Sequence, residues 1–485
     1  MCIGDCLYLG VDVGSKRLKM VVLSEDFIVV ESKWTDVSDL IIRREEGWAE
    51  RDATVLWDRM VDMFKGLNHV ADVKAVCVDG TSGSIVPVDH DLNPLYPIML
   101  YSDQRASREA KFLRDKSRVA RDYEAFLPIA PYLTIPKVLW LKRNFRDFRR
   151  IYKILHESDY FVAKLSGSIA TSPNTAGKSH VDVRSWDYLE EAYKDVGLDL
   201  DIMPPVKPIG EVVGYVSKEA SKLTGLPEGI PVVNSVTDSS AGDIATGCLS
   251  PGHVNVNLGT TLVVHAVVPK PEPDVEGRIY YKCYVNNSYL TGGATNAGTI
   301  PLDTVSKAFK LSHDELESLA SQAPPGCDGL RGQPEWVGTR VPRPNPSVKG
   351  FLVGISEENF RPGWIYRSFL EGNAATLLVI LEIIEEVTGT KPTVLKICGG
   401  GSKCKLQNQI IADSTGLRVE RILEGEPALG SAMLAASAST KTSLEKIASK
   451  AVKRSDSYEP DPRHKEVYSQ IKDEIQRITW KIYEG

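Results

Sequence analysis

The sequence lacks a basic excess: Lys and Arg total 58 against 64 Asp and Glu, a net charge of −6. Nucleic acid and anionic lipid need a positive field, and neither is an expected partner. Its eight cysteines (Cys2, Cys6, Cys77, Cys248, Cys283, Cys327, Cys398 and Cys404) include no CxxC pair and no neighbouring His. That argues against a zinc site and a disulfide framework, leaving free, mostly buried thiols. No apolar run approaches 18 residues, so no membrane-spanning helix is expected. The opening MCIGDCLYLGVD has no basic leader before its apolar stretch, which Asp5 interrupts, so the cytoplasm is the expected location.

What is present is the composition of a folded chain, 42% hydrophobic and 25% charged over 485 residues, a length that suggests two large domains. Strands and helices alternate as in α/β architecture. Leu7 to Val13, Leu18 to Ser24, Ile28 to Lys33, Val73 to Asp79 and Ser84 to Asp89 read as strands. Asp52 reads as the cap of a helix burying Val55, Leu56, Met60, Val61, Met63 and Phe64. A second strand series covers Val254 to Leu258, Leu262 to Val267, Arg278 to Val285 and Ser288 to Leu290. VNVNLGTTLVVHAVV (Val254 to Val268) repeats the strand, Gly, hydroxyl, strand order of GVDVGSKRLKMVVL, which suggests two halves of one ancestral design. Ser250, Pro251 and Gly252 mark the expected boundary, giving domains 1–250 and 251–485.

A turn with Gly at its bend can bring backbone N–H groups close to a phosphate, and Ser or Thr hydroxyls add donors. Gly14-Ser15 and Gly259-Thr260-Thr261 could therefore hold a polyphosphate, with Asp12 serving Mg²⁺ through water. A third element, KICGGGSKCKLQNQIIADSTGLRV (Lys396 to Val419), combines a strand end, three glycines and a helix with Leu406, Ile410 and Ile411 turned to a core. That is a nucleotide-cradling geometry, although it lacks P-loop spacing. Taken singly, either hairpin reads better as an ordinary turn with a solvated acid, and the glycine stretch reads also as a flexible loop.

Their order resembles the FGGY carbohydrate kinases, a branch of the actin, hexokinase and Hsp70 ATPase fold, over about residues 7 to 440. GVDVGSKRLK (Gly10 to Lys19) is similar to the first phosphate motif GxDxGTxxxK, and GWAERDATVLW (Gly47 to Trp57) to GWxEQDPxxxW. YSDQR (Tyr101 to Arg105) resembles the sugar-side WxDxR and KVLWL (Lys137 to Leu141) the KxxWL that goes with it, while HESDYFVAKLSG (His156 to Gly167) resembles the D-Y-x-x-x-x-L-T-G segment. TDSSAGDIATG (Thr237 to Gly247) resembles the catalytic segment, and LGTT the second phosphate motif. GGATNAG (Gly292 to Gly298), GTRVPRPNP (Gly338 to Pro346), GGGSKCKLQNQIIADSTG and EPALGSAMLAA (Glu426 to Ala436) follow in family order.

The resemblance implies two ribonuclease H-like α/β domains around a central cleft, the first for sugar and catalytic base, the second for nucleotide. It implies an ATP-dependent phosphotransferase acting on a sugar hydroxyl, with Asp238 as base and ATP and Mg²⁺ as cofactors. A loose transition state tolerates a weak base, so geometry counts for more than basicity. Without its neighbours, Asp238 would read as a helix N-cap. Asp12 and Asp238 would serve the metal, while Asp12, Gly14, Ser15, Lys19, Gly259, Thr260 and Thr261 surround the phosphates. Lys19 reads otherwise as a solvated strand-end charge. Gly298, Gly400, Gly401 and Cys404 fall on the nucleotide side; for Cys404, packing and binding are equally weighted, since a thiol is a poor donor.

Thr81, Ser82, Gly83 and Asp103 are the expected sugar residues, with Arg105 bracing Asp103 as the preferred reading of that pair. The sequence departs from the family pattern at Tyr101 in place of Trp, at GTT in place of GTS and in GGATNAGTIPLDTV, which lacks a tryptophan. DGTSGS is similar to plant and cyanobacterial xylulokinase-like proteins that prefer D-ribulose, so a ketopentose is expected, D-ribulose ahead of D-xylulose. A polyol kinase and a non-sugar ATPase of the same fold are the alternatives. The oligomeric state stays open, a homodimer included.

Overall fold

The computed structural model describes residues 6–483; Cys2 and Asp5 lie outside them. The seven described cysteines are free thiols, five of them buried and Cys6 and Cys404 half-buried. Among the described residues no helix is long and apolar enough to cross a membrane.

The chain forms two compact units. The first comprises the residues up to Leu249 with Tyr281–Tyr289 and Glu426–Val452; the second comprises Ser250–Tyr280, Leu290–Gly425 and the residues from Lys453 onward. One change-over thus falls at Ser250, but the contiguous ranges 1–250 and 251–485 do not describe the division.

In the first unit a six-stranded sheet runs β5-β6-β4-β1-β2-β3: β1 Leu7–Val13, β2 Arg17–Leu23, β3 Val29–Asp36, β4 Val73–Gly80, β5 Val212–Tyr215 and β6 Pro231–Val233. β1, β2 and β3 form an antiparallel meander, β1, β4 and β6 are parallel, and β5 is antiparallel to β6. Every residue of β1 is buried, as in a parallel strand covered on both faces, whereas the edge strand β3 alternates half-buried and exposed positions. The helix Ala53–Lys65 starts at Asp52, whose carboxylate accepts from the Thr54 and Val55 N–H groups at 2.7 and 3.1 Å. Its buried stripe is Leu56, Trp57, Met60, Val61 and Phe64. Val55, expected inside, is exposed, because the stripe is centred one residue later, on Trp57.

The second unit repeats the plan. Six strands run β9-β8-β7-β10-β11-β12: β7 His253–Leu258, β8 Leu262–Val268, β9 Ser288–Thr295, β10 Val394–Cys398, β11 Arg418–Ile422 and β12 Arg454–Tyr458. β8 is antiparallel to β7, β7, β10 and β11 are parallel, and β12 is antiparallel to β11, the same alternation as in the first sheet. The Val254 to Val268 repeat therefore reflects a repeated sheet.

The helix Pro427–Thr440 explains why residues 426–452 return to the first unit. From Ala428 to Ala436 every residue is buried, and the helix packs on β1, β4 and the helix Asp238–Ala245. Small residues make the approach possible. A Cβ on Gly10 would lie 1.9 Å from the Ala428 carbonyl oxygen, and one on Gly430 would lie 1.9 Å from that of Ala241. Backbone cannot yield as a side chain can, so overpacking here displaces the helix that carries Asp238. Gly430→Ala is expected to destabilise the first unit by about 1–3 kcal/mol or more. An unshifted denaturant midpoint would show that the contact is looser than described.

Candidate active site

Strand pairing assembles the first group of charges. β1 sets Asp12 opposite Lys19 of β2 on one side and Asp79 of β4 on the other. Residues directly opposite on adjacent strands share a face, so the two carboxyls meet. Asp79 is fully buried and Asp12 nearly so. Burial, then the neighbouring charge of Asp238, pushes the Asp12 pKa up to about 7. Burial and the charge of Asp12 raise that of Asp79 well above the carboxylate range. The Ser431 hydroxyl donates to Asp79 Oδ2 at 2.5 Å, but no donor reaches Oδ1 of either acid. Lys19 is not a solvated charge: its Nζ lies 3.0 Å from Glu426, the residue preceding the buried helix.

An orphaned buried carboxylate oxygen beside a second acid fits a divalent cation. Among the described residues, though, no group of three or more His, Cys, Asp or Glu could enclose a metal. That donor set matches Mg²⁺, which keeps its water and takes one or two carboxylates.

Asp238 is the first residue of the helix Asp238–Ala245; Thr237, not Asp238, occupies the N-cap. The helix dipole and the Ser239 N–H, 2.6 Å from Oδ1, favour the carboxylate, as do the charges of Lys282 and Lys178. Burial outweighs them and leaves the pKa raised. The Lys282 Nζ donates to the Ser239 hydroxyl at 2.7 Å.

The hairpin glycines shape their turns and do not offer N–H groups to a ligand. Gly14 N–H donates to the Arg17 carbonyl at 3.0 Å, and Gly259 N–H to that of Thr261, also at 3.0 Å. Available backbone donors must come from the residues beyond, Ser15 in the first hairpin and Thr260-Thr261 in the second. The Arg51 guanidinium fixes the first turn, bonding the Gly14 carbonyl at 3.0 Å while its Nε donates to Glu157 at 2.6 Å. This buried pair came from GWAERD and HESDY, motifs that the sequence reading left without a role.

In the second unit, parallel pairing of β7 and β10 brings the Gly259–Thr261 turn and the glycines after Cys398 to one end of the sheet. Gly298 has φ +145°, and a Cβ there would lie 2.7 Å from the Gly259 and Thr260 carbonyl oxygens. Its N–H is taken by Asn373 at 3.0 Å, so Gly298 supports the hairpin by close approach. Gly400 and Gly401 open a short 3₁₀ turn, Gly400–Lys403; a Cβ on Gly400 would meet nothing within 4 Å, whereas one on Gly401 would meet Leu258 at 3.1 Å. Cys404 caps the helix Lys405–Thr415, its sulfur accepting from the Gln407 N–H at 3.4 Å, with burial pushing the thiol up to about 12. That is a packing role.

Two expected sugar residues are already engaged. The Thr81 hydroxyl donates to Glu157 at 2.9 Å and lies 2.6 Å from Ser84 Oγ. Asp103 is fully buried and accepts four N–H bonds: Oδ1 from the Arg105 N–H and Nε at 3.1 and 2.9 Å, Oδ2 from Ala49 and the Arg105 guanidinium at 2.7 and 2.6 Å. Four is the capacity of a carboxylate, which leaves nothing for a sugar hydroxyl. Both are corrections: these side chains hold the turn together. Arg105 braces Asp103 as preferred, with Trp48 and Trp140 rings 3.6 and 4.9 Å from the guanidinium. Ser82 and Gly83 remain at the turn; the Lys178 Nζ donates to the Ser82 carbonyl at 3.0 Å, and its stem lies 2.7 Å from where a Gly83 Cβ would be.

The pattern of the N-terminal domain of the FGGY family of carbohydrate kinases matches residues 7–245, and that of its C-terminal domain residues 254–439. The chain belongs to this family. It is therefore a phosphotransferase with an alcohol as acceptor. A xylulose kinase of Escherichia coli (strain K12) is 28% identical, the match covering 88% of this chain and 89% of that protein. One from Bacillus subtilis (strain 168) is 26% identical over 97% of this chain and 96% of that one. The xylulose kinase structure from Rhodospirillum rubrum superposes with a TM-score of 0.88 at 23% identity, covering 98% of this chain and 99% of its own. The fold is that of the two-domain actin and hexokinase-like ATPases.

Sequence reasoning missed Asp79, Glu426, Lys178 and Lys282. Asp79 had a local signal, an acid at the end of a strand immediately before Gly80-Thr81; the lysines had none, since their neighbours lie far away in sequence. The engaged Asp103 gives a test. Asp103→Ala should lower stability by about 3–5 kcal/mol, because Arg105 loses one of its two buried carboxylate partners and the buried Ala49 N–H loses its acceptor. The sugar KM of the folded fraction should stay near wild type; a large KM rise at unchanged stability would return Asp103 to the ligand.

Proposed function

We propose that the chain transfers the terminal phosphoryl group of ATP to a hydroxyl of a ketopentose, D-ribulose or D-xylulose, using Asp238 as base. The reading is carried by Asp238 itself: a half-buried carboxylate at a helix start, its pKa raised, within electrostatic reach of Lys178, Lys282 and the Asp12–Asp79 pair. A raised pKa makes Asp238 a better proton acceptor at neutral pH, and the Ser239 N–H holds Oδ1 in place. The lysine charges favour the ionised carboxylate and oppose the effect of burial. Asp12 and Asp79 would hold Mg²⁺, which supplies charge neutralisation on the transferring phosphoryl group. Ser15 and Lys19 on the first unit, and Thr260 and Thr261 on the second, are the proposed phosphate donors; Gly400 and Gly401 are proposed to admit the nucleoside. Ser82 and Gly83, with Lys178 across their turn, are proposed for the sugar.

The xylulose kinases of similar length support the pentulose class. A sugar acid is a second reading, favoured by the cation of Lys178 at the sugar turn and by a gluconokinase of Bacillus subtilis (strain 168) that is 22% identical. A polyol acceptor has no observation of its own. The cytoplasm remains the proposed location.

A coupled ADP-release assay over D- and L-ketopentoses, gluconate, glycerol and erythritol decides the acceptor. The highest kcat/KM should fall on D-ribulose or D-xylulose; a preference for gluconate or a polyol overturns the pentulose reading. Asp238→Asn should lower kcat by roughly 10²- to 10⁴-fold while ATP and sugar still bind. Chelation of divalent metal should abolish turnover and added Mg²⁺ restore it, and Asp12→Asn should raise the Mg²⁺ concentration needed for half-maximal rate.

A further inference from the structure

The second unit holds a cavity of about 530 Å³ that none of the proposed nucleotide residues lines. Two helices wall it: Pro362–Thr388 contributes Val379 and Ile383, and Lys465–Tyr483 contributes Ile475 and Trp480. The segment from Gln333 to Val348 closes the third side. Ion pairs between elements fix the frame. Lys472 joins Glu382 at 2.6 Å across the two helices, and Arg278 joins Glu386 at 3.1 Å.

Glu335 lies in the wall of this cavity and is only 5% exposed, yet its Oε1 has no hydrogen-bond partner. The Asn296 backbone N–H reaches the carboxyl but does not offset burial, which pushes its pKa up to about 8. A buried carboxyl oxygen without a partner costs free energy that folding alone does not justify. The indole of Trp480, 53% exposed, lines the same cavity as an open apolar face. Arg343 and Arg477 add two cations to the lining. Arg278 and Lys472 are engaged by Asp274, Glu386 and Glu382, and Arg343 lies 3.9 Å from Glu276. The lining thus combines an apolar face, one buried polar handle and two exposed arginines, Arg343 and Arg477.

We propose that this cavity is a second ligand site, for a small ring-bearing organic phosphate of the nucleoside monophosphate class. The ring lies between Trp480 and the Val379–Ile383 face, a polar edge of the ring meets Glu335, and the phosphate is held by Arg343 and Arg477. Planar rings stack on exposed indoles, arginine recognises phosphate through paired N–H donors, and the volume falls within the range of small-molecule pockets. None of the proposed phosphoryl-transfer residues lines this cavity, and the proposal does not depend on which sugar the enzyme accepts.

The test uses the full chain labelled with 5-fluorotryptophan, the catalytic nucleotide site being saturated with a non-hydrolysable ATP analogue. AMP is the probe, and the Trp480 ¹⁹F resonance is assigned by its loss in Trp480→Phe. Titration should move that resonance saturably. Arg343→Glu with Arg477→Glu should weaken binding at least tenfold without changing the sugar kinase rate, and Glu335→Leu should weaken it comparably. Because Glu335→Leu could disturb folding, the surface arginine pair carries the decision. No saturable shift, a shift indifferent to the arginine pair, or an equal response to a ring-free sugar phosphate overturns the proposal.

Discussion

Two carboxylates that cannot both be ionised without help set the terms of the first unit. Parallel pairing of β1 with β4 fixes Asp12 against Asp79. Their backbones sit in central strands, so neither can turn away to water. Water-free burial of two like charges within contact costs several kcal/mol even at a generous interior dielectric. The fold supplies only Ser431 and, across β2, Lys19, which it shares with Glu426. A remaining demand for positive charge is built into the strand register, and Mg²⁺ is the cation proposed to meet it. Asp238 adds to the repulsion from a helix that packs against the same buried segment, Pro427–Thr440. The position of Asp238, the proposed base, therefore depends on close backbone approach at Gly10 and Gly430.

Local features were legible in the sequence, and long-range ones were not. The strands of both units and the Asp52 cap follow from periodicity and from side chains that bond two or three residues away. Thr81 and Asp103 were read as ligand residues because small hydroxyls and acids in turns are exposed by default. Their actual partners are Glu157, the first residue of the helix Glu157–Ser166, for Thr81 and the Ala49 backbone N–H, just before the short strand Glu50–Arg51, for Asp103. No spacing rule reaches across 76 or 54 residues. Gly14 and Gly259 were read as donors from the shape of a turn, yet a tight turn consumes the very N–H that closes it. The family motifs located the right segments; what they could not specify was which atoms remain unused after the segments have packed.

The repeated sheet shows how one plan came to carry two chemistries. Asp12 stands two residues before Gly14 in the first hairpin, and Asn257 stands two residues before Gly259 in the second. Register makes the correspondence physical. Asp12 lies between Lys19 and Asp79, whereas Asn257 lies between Val263 and Cys398. The charged row Lys-Asp-Asp is answered by the neutral row Val-Asn-Cys. A neutral row asks for no cation, and its strand end is free to approach other backbone: a Cβ on Gly399 would lie 2.5 Å from the Leu258 carbonyl oxygen. Glycines can therefore crowd that hairpin and leave Gly400 open, as a site for an uncharged base and ribose requires. In the first sheet the same crowding would bury still more charge. Divergence at three facing positions separates the charged row proposed for the metal from the neutral row proposed for the nucleoside end, while the plan of the sheet stays the same.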